Sequence, residues 1–308
     1  NFYLENCVGL TFDDWKNSDG FQDTYKSYLN YQYEVRFLRA FYYFELVKRY
    51  GSVPLITKTL TKQEANQVSP SSVEDIFKFI INECTEVATF LPDKVTSLPG
   101  AKANMQRVSK GVALALKSRA TLYWASPLFN KDNDETRWKA AAEASNELIS
   151  KASDFGYALD ANYKNLFGAT NNQSPEMILC RPEGKGTRFE AANYPMGVKN
   201  GSGNTCPTEN LVSAYIVHNG MKWPQKVAVE TFVGGKNGQP LLNATTTGYY
   251  LKKYLNNQVT FETGKTTNSF DHNWVIFRYA EILLNYAEAA CHAYGPDVVP
   301  AGHALSAL

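Results

Sequence analysis

This 308-residue sequence has little charge of one sign, little histidine and no paired cysteines. Thirty-one Lys and Arg stand against 30 Asp and Glu, a net charge of +1. That balance makes no polyelectrolyte surface, so neither nucleic acid nor an acidic membrane face is implied as a partner. Four histidines, at 218, 272, 292 and 303, are too scattered for a catalytic triad to be argued. Five cysteines, at 7, 84, 180, 206 and 291, make no C-x-x-C pair and no metal-ligand spacing. Their odd number argues against a full disulfide framework and leaves a single long-range bridge open. The sequence contains no G-x-S-x-G, no H-E-x-x-H and no phosphate-binding glycine loop. No run is apolar and long enough to cross a bilayer, and no signal peptide is visible. Nothing in these patterns asks for a cofactor or a resident metal.

What is present in abundance is aromatic: 19 Tyr, 17 Phe and 5 Trp. The stretch YEVRFLRAFYYFELVKRYGSVPLI (33–56) organises the rest. Val35, Leu38, Tyr42 and Leu46 recur at helical spacing, and Phe37, Phe41 and Phe44 form a second stripe beside them. A helix apolar over so much of its girth is expected to be wedged between other elements. Asp23 or Ser27 would cap its start, and Glu45 stands four before Arg49. Gly51 and Pro54 end the helix near Tyr50.

A second helix is expected from Ser71, where Ser71 and Glu74 have capping-box spacing. Ile76/Phe77, Ile80, Cys84, Val87/Ala88 and Leu91 trace its apolar face, on which Cys84 acts as a small hydrophobe. A third spans about Gln106–Ala125, with small residues Gly111, Ala113, Ala115 and Ala120 that let a neighbour approach. A fourth spans about Glu135–Ala152, and its short connection to the third makes the two antiparallel. Such pairs resemble tetratricopeptide units, although the 34-residue consensus is only loosely met. At Phe155 the character changes: 13 of 20 glycines lie between Gly156 and Gly264. That region reads as loops with short strands, one at Glu176–Cys180 and an extended piece at 252–255. A loop region of this length is usually functional or disordered. Helix returns at Trp274 with Ile276, Tyr279/Ala280, Leu283, Ala287, Ala290 and Tyr294 as its core stripe.

The fold class is therefore mainly α: tetratricopeptide-like helical pairs with a long irregular, loop-rich excursion containing short strands. The parts are 1–154 (helical), 155–273 (irregular, ligand-binding) and 274–308 (return of the helical part), in one globular domain that reads as trimmed at both ends.

No catalytic carboxylate pair stands out. Asp13/Asp14 and Asp132/Asp134 sit in polar, turn-like stretches and read better as caps and solvated charges. Glu288 and His292, four apart on a helix, read as a solvated contact rather than a metal pair. Arg36, Arg39 and Arg278 lie in or beside apolar stripes and are expected to pair with glutamates, Glu281 and Glu288 being candidates. The functional chemistry left is aromatic and amide density in the irregular half. A sugar ring offers an apolar C–H face and polar edges, which aromatic faces and planar amides complement. The candidate ligand-binding residues are Trp223, Tyr194, Tyr215, Tyr249, Tyr250, Asn204 and Asn219. Trp223, in the turn-like Met221-Lys222-Trp223-Pro224, is the least well explained by core packing.

The 33–56 stretch resembles the signature helix of the SusD/RagB family. Three further segments are similar to that family in the same order: VSKGVALALKSRATLY (108–123), PTENLVSAY (207–215) and RYAEILLNYAEA (278–289). The resemblance implies a non-catalytic, cell-surface lipoprotein of the outer membrane. It would bind an oligosaccharide, or in some branches a peptide, and deliver it to a SusC-like TonB-dependent transporter. The lipid anchor and part of the ligand site would precede Asn1. The resemblance also implies that the helical repeats meet the transporter and the irregular excursion carries most ligand contacts. No Asp-Pro-Arg triplet follows the 207–215 segment, a departure from the family pattern. A role as transporter lid or adaptor, with a peptide or no soluble ligand of its own, is the other reading.

Overall fold

The longest helix sets the frame. The computed structural model describes residues 1–94, 107–195, 198–214, 249–262, 264 and 267–297. Helix α1 (Phe2–Asn6) leads through a 3-10 turn (Asp13–Trp15) to α2 (Phe21–Tyr50). Gly20 precedes α2 with φ +73°, so the helix starts earlier than Asp23 or Ser27, which lie inside it. The stop is where expected. Gly51 takes φ +69° and its N–H donates to the Val47 carbonyl at 2.9 Å.

Only one side of α2 is buried. Phe37, Ala40, Phe44 and Val47 are the core face. The stripe Leu38, Tyr42 and Leu46, expected to be wedged, is 40%, 61% and 40% exposed. The reason is the arrangement of neighbours: α2 packs mainly on α4, and less on α1 and α5, and the Leu38, Tyr42 and Leu46 stripe faces away from them.

Helix α3 (Lys62–Ala65) is closed by a Thr61–Glu64 capping box. Helix α4 (Val73–Phe90) is capped by Ser72, whose Oγ accepts the Asp75 N–H at 3.0 Å. The cap is one residue later than the Ser71 spacing suggested, because Ser71 Oγ accepts from Leu55 N–H instead. Ile76, Phe77, Ile80, Cys84, Val87 and Ala88 are buried as the period required. Each large apolar side chain of this face contributes ~1.5–3 kcal/mol relative to exposure. Burial also pushes the Cys84 thiol pKa up, and all five cysteines are free, so no long-range bridge forms.

Helix α5 (Lys110–Ala125) is the central one, buried around most of its girth. Gly111 is open there for a specific neighbour: a Cβ would stand 2.5 Å from Tyr157 Oη. Helix α6 (Glu135–Ile149) starts at Asp134, whose Oδ1 accepts the Thr136 N–H at 2.9 Å. It ends at Ser150 rather than Ala152, and a short α7 (Ala152–Phe155) follows, closed by Gly156 at φ +78°. Helices pack in chain order, α2 on α4, α4 on α5 and α5 on α6, with α10 (Tyr279–Tyr294) on α6 and α5. This is the stacking of helical pairs expected from the sequence.

Many polar groups inside the helical array pair in clusters. Ser118 Oγ and Ser145 Oγ are 2.8 Å apart, and Asn285 Nδ2 donates to Ser118 Oγ at 3.1 Å. Arg119 forms a bidentate pair with Glu281 at 2.5 and 2.6 Å and lies over the Phe277 ring. Arg36 and Arg39 both reach Glu83, and Arg278 reaches Glu176 at 2.7 Å. Glu281 and Glu288 are thus not the partners of Arg36, Arg39 or Arg278. Glu288 is exposed, and His292 stacks on Trp138 at 4.1 Å.

The return segment differs from its expectation. Trp274 is not helical: strand β2 (Phe270–Arg278) pairs with β1 (Met177–Gly186) in a two-stranded sheet, and α10 begins only at Tyr279. The buried face of α10 is Ile282, Asn285, Tyr286, Ala289 and Ala290, out of phase with the stripe read from Trp274. The expected strand at Glu176–Cys180 runs on to Gly186, and residues 252–255 are not a strand.

The chain divides into two units. One comprises Asn1–Ala161, Gln173–Arg181 and Val275–Leu308 and holds the helical array. The other comprises Asn162–Asn172 and Pro182–Trp274 and holds short helices α8 (Arg188–Asn193) and α9 (Glu209–Ala214) among turns.

Candidate ligand-binding site

Helix α8 is the hub of the second unit. Glu190 points inward and is fully buried. Its Oε1 accepts the Asn256 N–H at 3.2 Å and lies 3.0 Å from Nε2 of the buried His272. A second buried anchor lies below: Asn171 Nδ2 donates to the Leu166 and Asn273 carbonyls at 2.9 Å each, and Asn273 Nδ2 donates to the Ala169 carbonyl. These bonds tie the 163–173 turns and the start of β2 into one rigid support, as buried amides require.

On that support sits a group of rings. Phe189 is 4.9 Å from Trp274 and 5.3 Å from the His272 ring. Tyr254 is 4.9 Å from Trp274 and 5.2 Å from Phe167, edge to face in both cases. Tyr163, exposed, lies against Phe167. Lys253 Nζ stands 4.1 Å over the Phe167 ring. The Trp274 indole N–H donates to the Glu183 carboxylate. Phe167, Phe189, Tyr254 and Trp274 are all half-buried, so each packs on one side and keeps some surface toward solvent. Tyr254 holds φ +68°, a left-handed conformation that costs a non-glycine residue ~1–3 kcal/mol. The surrounding ring packing holds it there. What this arrangement can do is offer fixed aromatic faces beside a carboxylate and an ammonium group. Among the described residues no group of three or more His, Cys, Asp and Glu could hold a metal ion.

The sequence-predicted residues fall in several places. Tyr194 follows α8, and its hydroxyl donates to the Asn256 and Val259 carbonyls at 2.6 and 2.8 Å. That hydroxyl pins a loop, and burial raises its pKa. Asn204 is exposed on the segment whose Gly203 N–H donates to the Tyr194 carbonyl at 2.9 Å. Tyr249, half-buried, donates to Glu209 Oε2 at 2.7 Å, which raises its pKa, with burial adding. Tyr250 is half-buried beside it. Trp223, Tyr215 and Asn219 lie outside the described residues. Phe167, Phe189 and Trp274 of the ring group are not among the sequence-predicted residues. The β-branched and aromatic run Trp274-Val275-Ile276-Phe277 was the signal for a strand that would free Trp274 from the helical core.

Two family models match the chain. One is the SusD family, over residues 228–307. The other, described as starch-binding and associating with the outer membrane, covers residues 13–122. Together they span more than half of the sequence. A SusD-like protein P2 of Formosa agariphila is 22% identical over 279 residues, covering 83% of this chain and 51% of that one. The chain thus spans about half the length of the curated relative it matches. Among solved structures, a SusD-like protein of Bacteroides fragilis superposes with a TM-score of 0.65 at 24% identity, over 88% of this chain and 59% of that one. A surface glycan-binding protein A of Bacteroides thetaiotaomicron in complex with laminarihexaose gives 0.58 at 21% identity, over 94% and 60%. These likenesses show a shared fold, and with the two family models and the four ordered segments they place the chain: it belongs to the SusD/RagB family.

Proposed function

We propose that the protein binds an oligosaccharide without chemical turnover, using the aromatic group around Trp274 and Tyr254. The observation that carries this reading is four half-buried rings fixed over a hydrogen-bonded support, one of them in a strained backbone conformation. Aromatic faces held without freedom to collapse favour the C–H face of a sugar at low entropic cost. Tyr249, Tyr250 and Asn204 are proposed to add further faces and amide edges, and Trp223, Tyr215 and Asn219, outside the described residues, stay candidates from the sequence. The glycan-binding names of structural relatives agree with it.

One carboxylate of each pair that might have argued for hydrolysis has other work. Asp134 caps α6, and Asp13 accepts the Thr11 hydroxyl at 2.9 Å. Titration of the purified protein with gluco-oligosaccharides tests the proposal: binding without product over long incubation supports it, and turnover overturns it.

Delivery to a SusC-like TonB-dependent transporter is proposed with it, from the outer-membrane surface to which a lipid anchor would hold the protein. The exposed Leu38, Tyr42 and Leu46 stripe on α2 supports an interaction surface on the helical array. The lid or adaptor reading, with peptide or no soluble ligand, draws on the same stripe. Co-purification of a transporter with the wild type but not with Tyr42→Glu would support this surface, and equal recovery would remove it.

A further inference from the structure

The helical unit contains a cavity that the reading above does not use. It has a volume of about 630 Å³, inside the range of about 300–1,000 Å³ usual for small-molecule sites. Its walls are the rings of Phe12, Trp15, Phe21, Tyr25 and Tyr28, with Asp19 among them. Ser18 and Thr24 complete the lining.

The wall is fixed, not a loose loop. The Tyr28 hydroxyl donates to the Cys7 carbonyl at 2.7 Å and accepts the Leu10 N–H at 2.9 Å. Phe12 sits at φ +52°, unusual for a bulky residue, and meets Tyr28 edge to face at 5.0 Å. Along α2 the rings of Phe21, Tyr25 and Tyr28 stack in a row, at 5.4 Å and 14°, then 5.7 Å and 24°. Trp15 stands 66% exposed at the opening.

We infer that this cavity is a second saccharide subsite, which takes a neutral sugar ring. The inference rests on the glycan-binding reading and adds a site to it. Three features select the ligand. The lining has a carboxylate and no Lys or Arg, so an anion such as a uronate or phosphate is disfavoured. Asp19, Ser18 and Thr24 would lose hydrogen bonds beneath a pure hydrocarbon. Five aromatic rings among eight lining residues give a broad apolar wall, which suits the C–H face of a sugar ring better than a point charge needing enclosure.

The test is calorimetric titration of the full chain with laminarihexaose, maltohexaose and tetramethylammonium, on wild type, Trp15→Ala, Trp274→Ala and the double variant. The expected result is residual sugar binding in Trp274→Ala that the added Trp15→Ala weakens at least about tenfold. Asp19→Asn, which keeps every ring, should weaken it less. Thermal unfolding of Trp15→Ala should match wild type because its side chain is mostly exposed. If Trp15→Ala changes nothing while Trp274→Ala abolishes binding, the second subsite is wrong and the main reading stands. If neither matters, or the wild type binds no sugar, both fall. Tetramethylammonium binding lost in Trp15→Ala, with sugar binding intact, would overturn the assignment of a neutral ligand.

Discussion

Glu83 shows how much one residue can hold. It is buried and accepts from Arg36 and Arg39, residues of α2 that stand 47 and 44 positions away. Burial alone would raise its pKa, but the hydrogen bonds from Arg36 and Arg39 hold it below the usual 4.5. A carboxylate with a depressed folded pKa contributes stability above its unfolded pKa and loses it as pH falls through the folded one. Wild-type stability should therefore decline as pH drops below about 4.5, and Glu83→Ala should flatten that part of the profile in denaturant melts. At neutral pH the same change should cost up to ~3 kcal/mol, because two partly buried arginines lose their shared carboxylate while Arg36 keeps Glu86 and Arg39 keeps Asn1. Gly111→Ala is the opposite kind of test. The added methyl would meet the Tyr157 ring at 2.5–2.9 Å, and overpacking of this kind costs ~1–3 kcal/mol. A melting temperature unchanged by Gly111→Ala would show that Tyr157 moves freely. The sequence marked Arg36 and Arg39 as paired but could not name Glu83. Which glutamate approaches is decided by how α2 and α4 cross, and no local spacing encodes that.

At the scale of elements, the helices were legible where period and punctuation agreed. Helix α4 shows its buried face in the sequence, and Gly51 stops α2 where it should. The failures are failures of phase and of neighbourhood. Reading helix from Trp274 shifted the stripe of α10, because the strand β2 occupies its first five residues. The Leu38, Tyr42 and Leu46 stripe of α2 looked buried because apolar content says nothing about how many neighbours a helix has. Element packing also yields a prediction. Asn285 on α10 bonds Ser118 on α5, which bonds Ser145 on α6. Asn285→Ala should cost ~1–3 kcal/mol by removing the buried donor to the Ser118 hydroxyl, measured as a lower denaturation midpoint with unchanged slope. Conversely, Tyr42→Ser on the exposed stripe should change stability by less than about 0.5 kcal/mol.

For the molecule as a whole, family and helical architecture were readable from four ordered segments. The site was not. Loop aromatics follow no period, so nothing in the sequence ranked Phe189 or Trp274 above Tyr194. Tyr194 turns out to pin its loop through two carbonyls, and only contacts distant in sequence reveal that. The rings fixed around Trp274 are proposed to bind an oligosaccharide without cleaving it. The most direct measurement is calorimetric titration of wild type and Trp274→Ala with a panel of plant, host and microbial glycans, with the products analysed afterwards. The account predicts binding to one glycan class, a loss of at least about tenfold in Trp274→Ala, and intact sugar after incubation. Equal affinity in both proteins, or cleaved sugar, would contradict it.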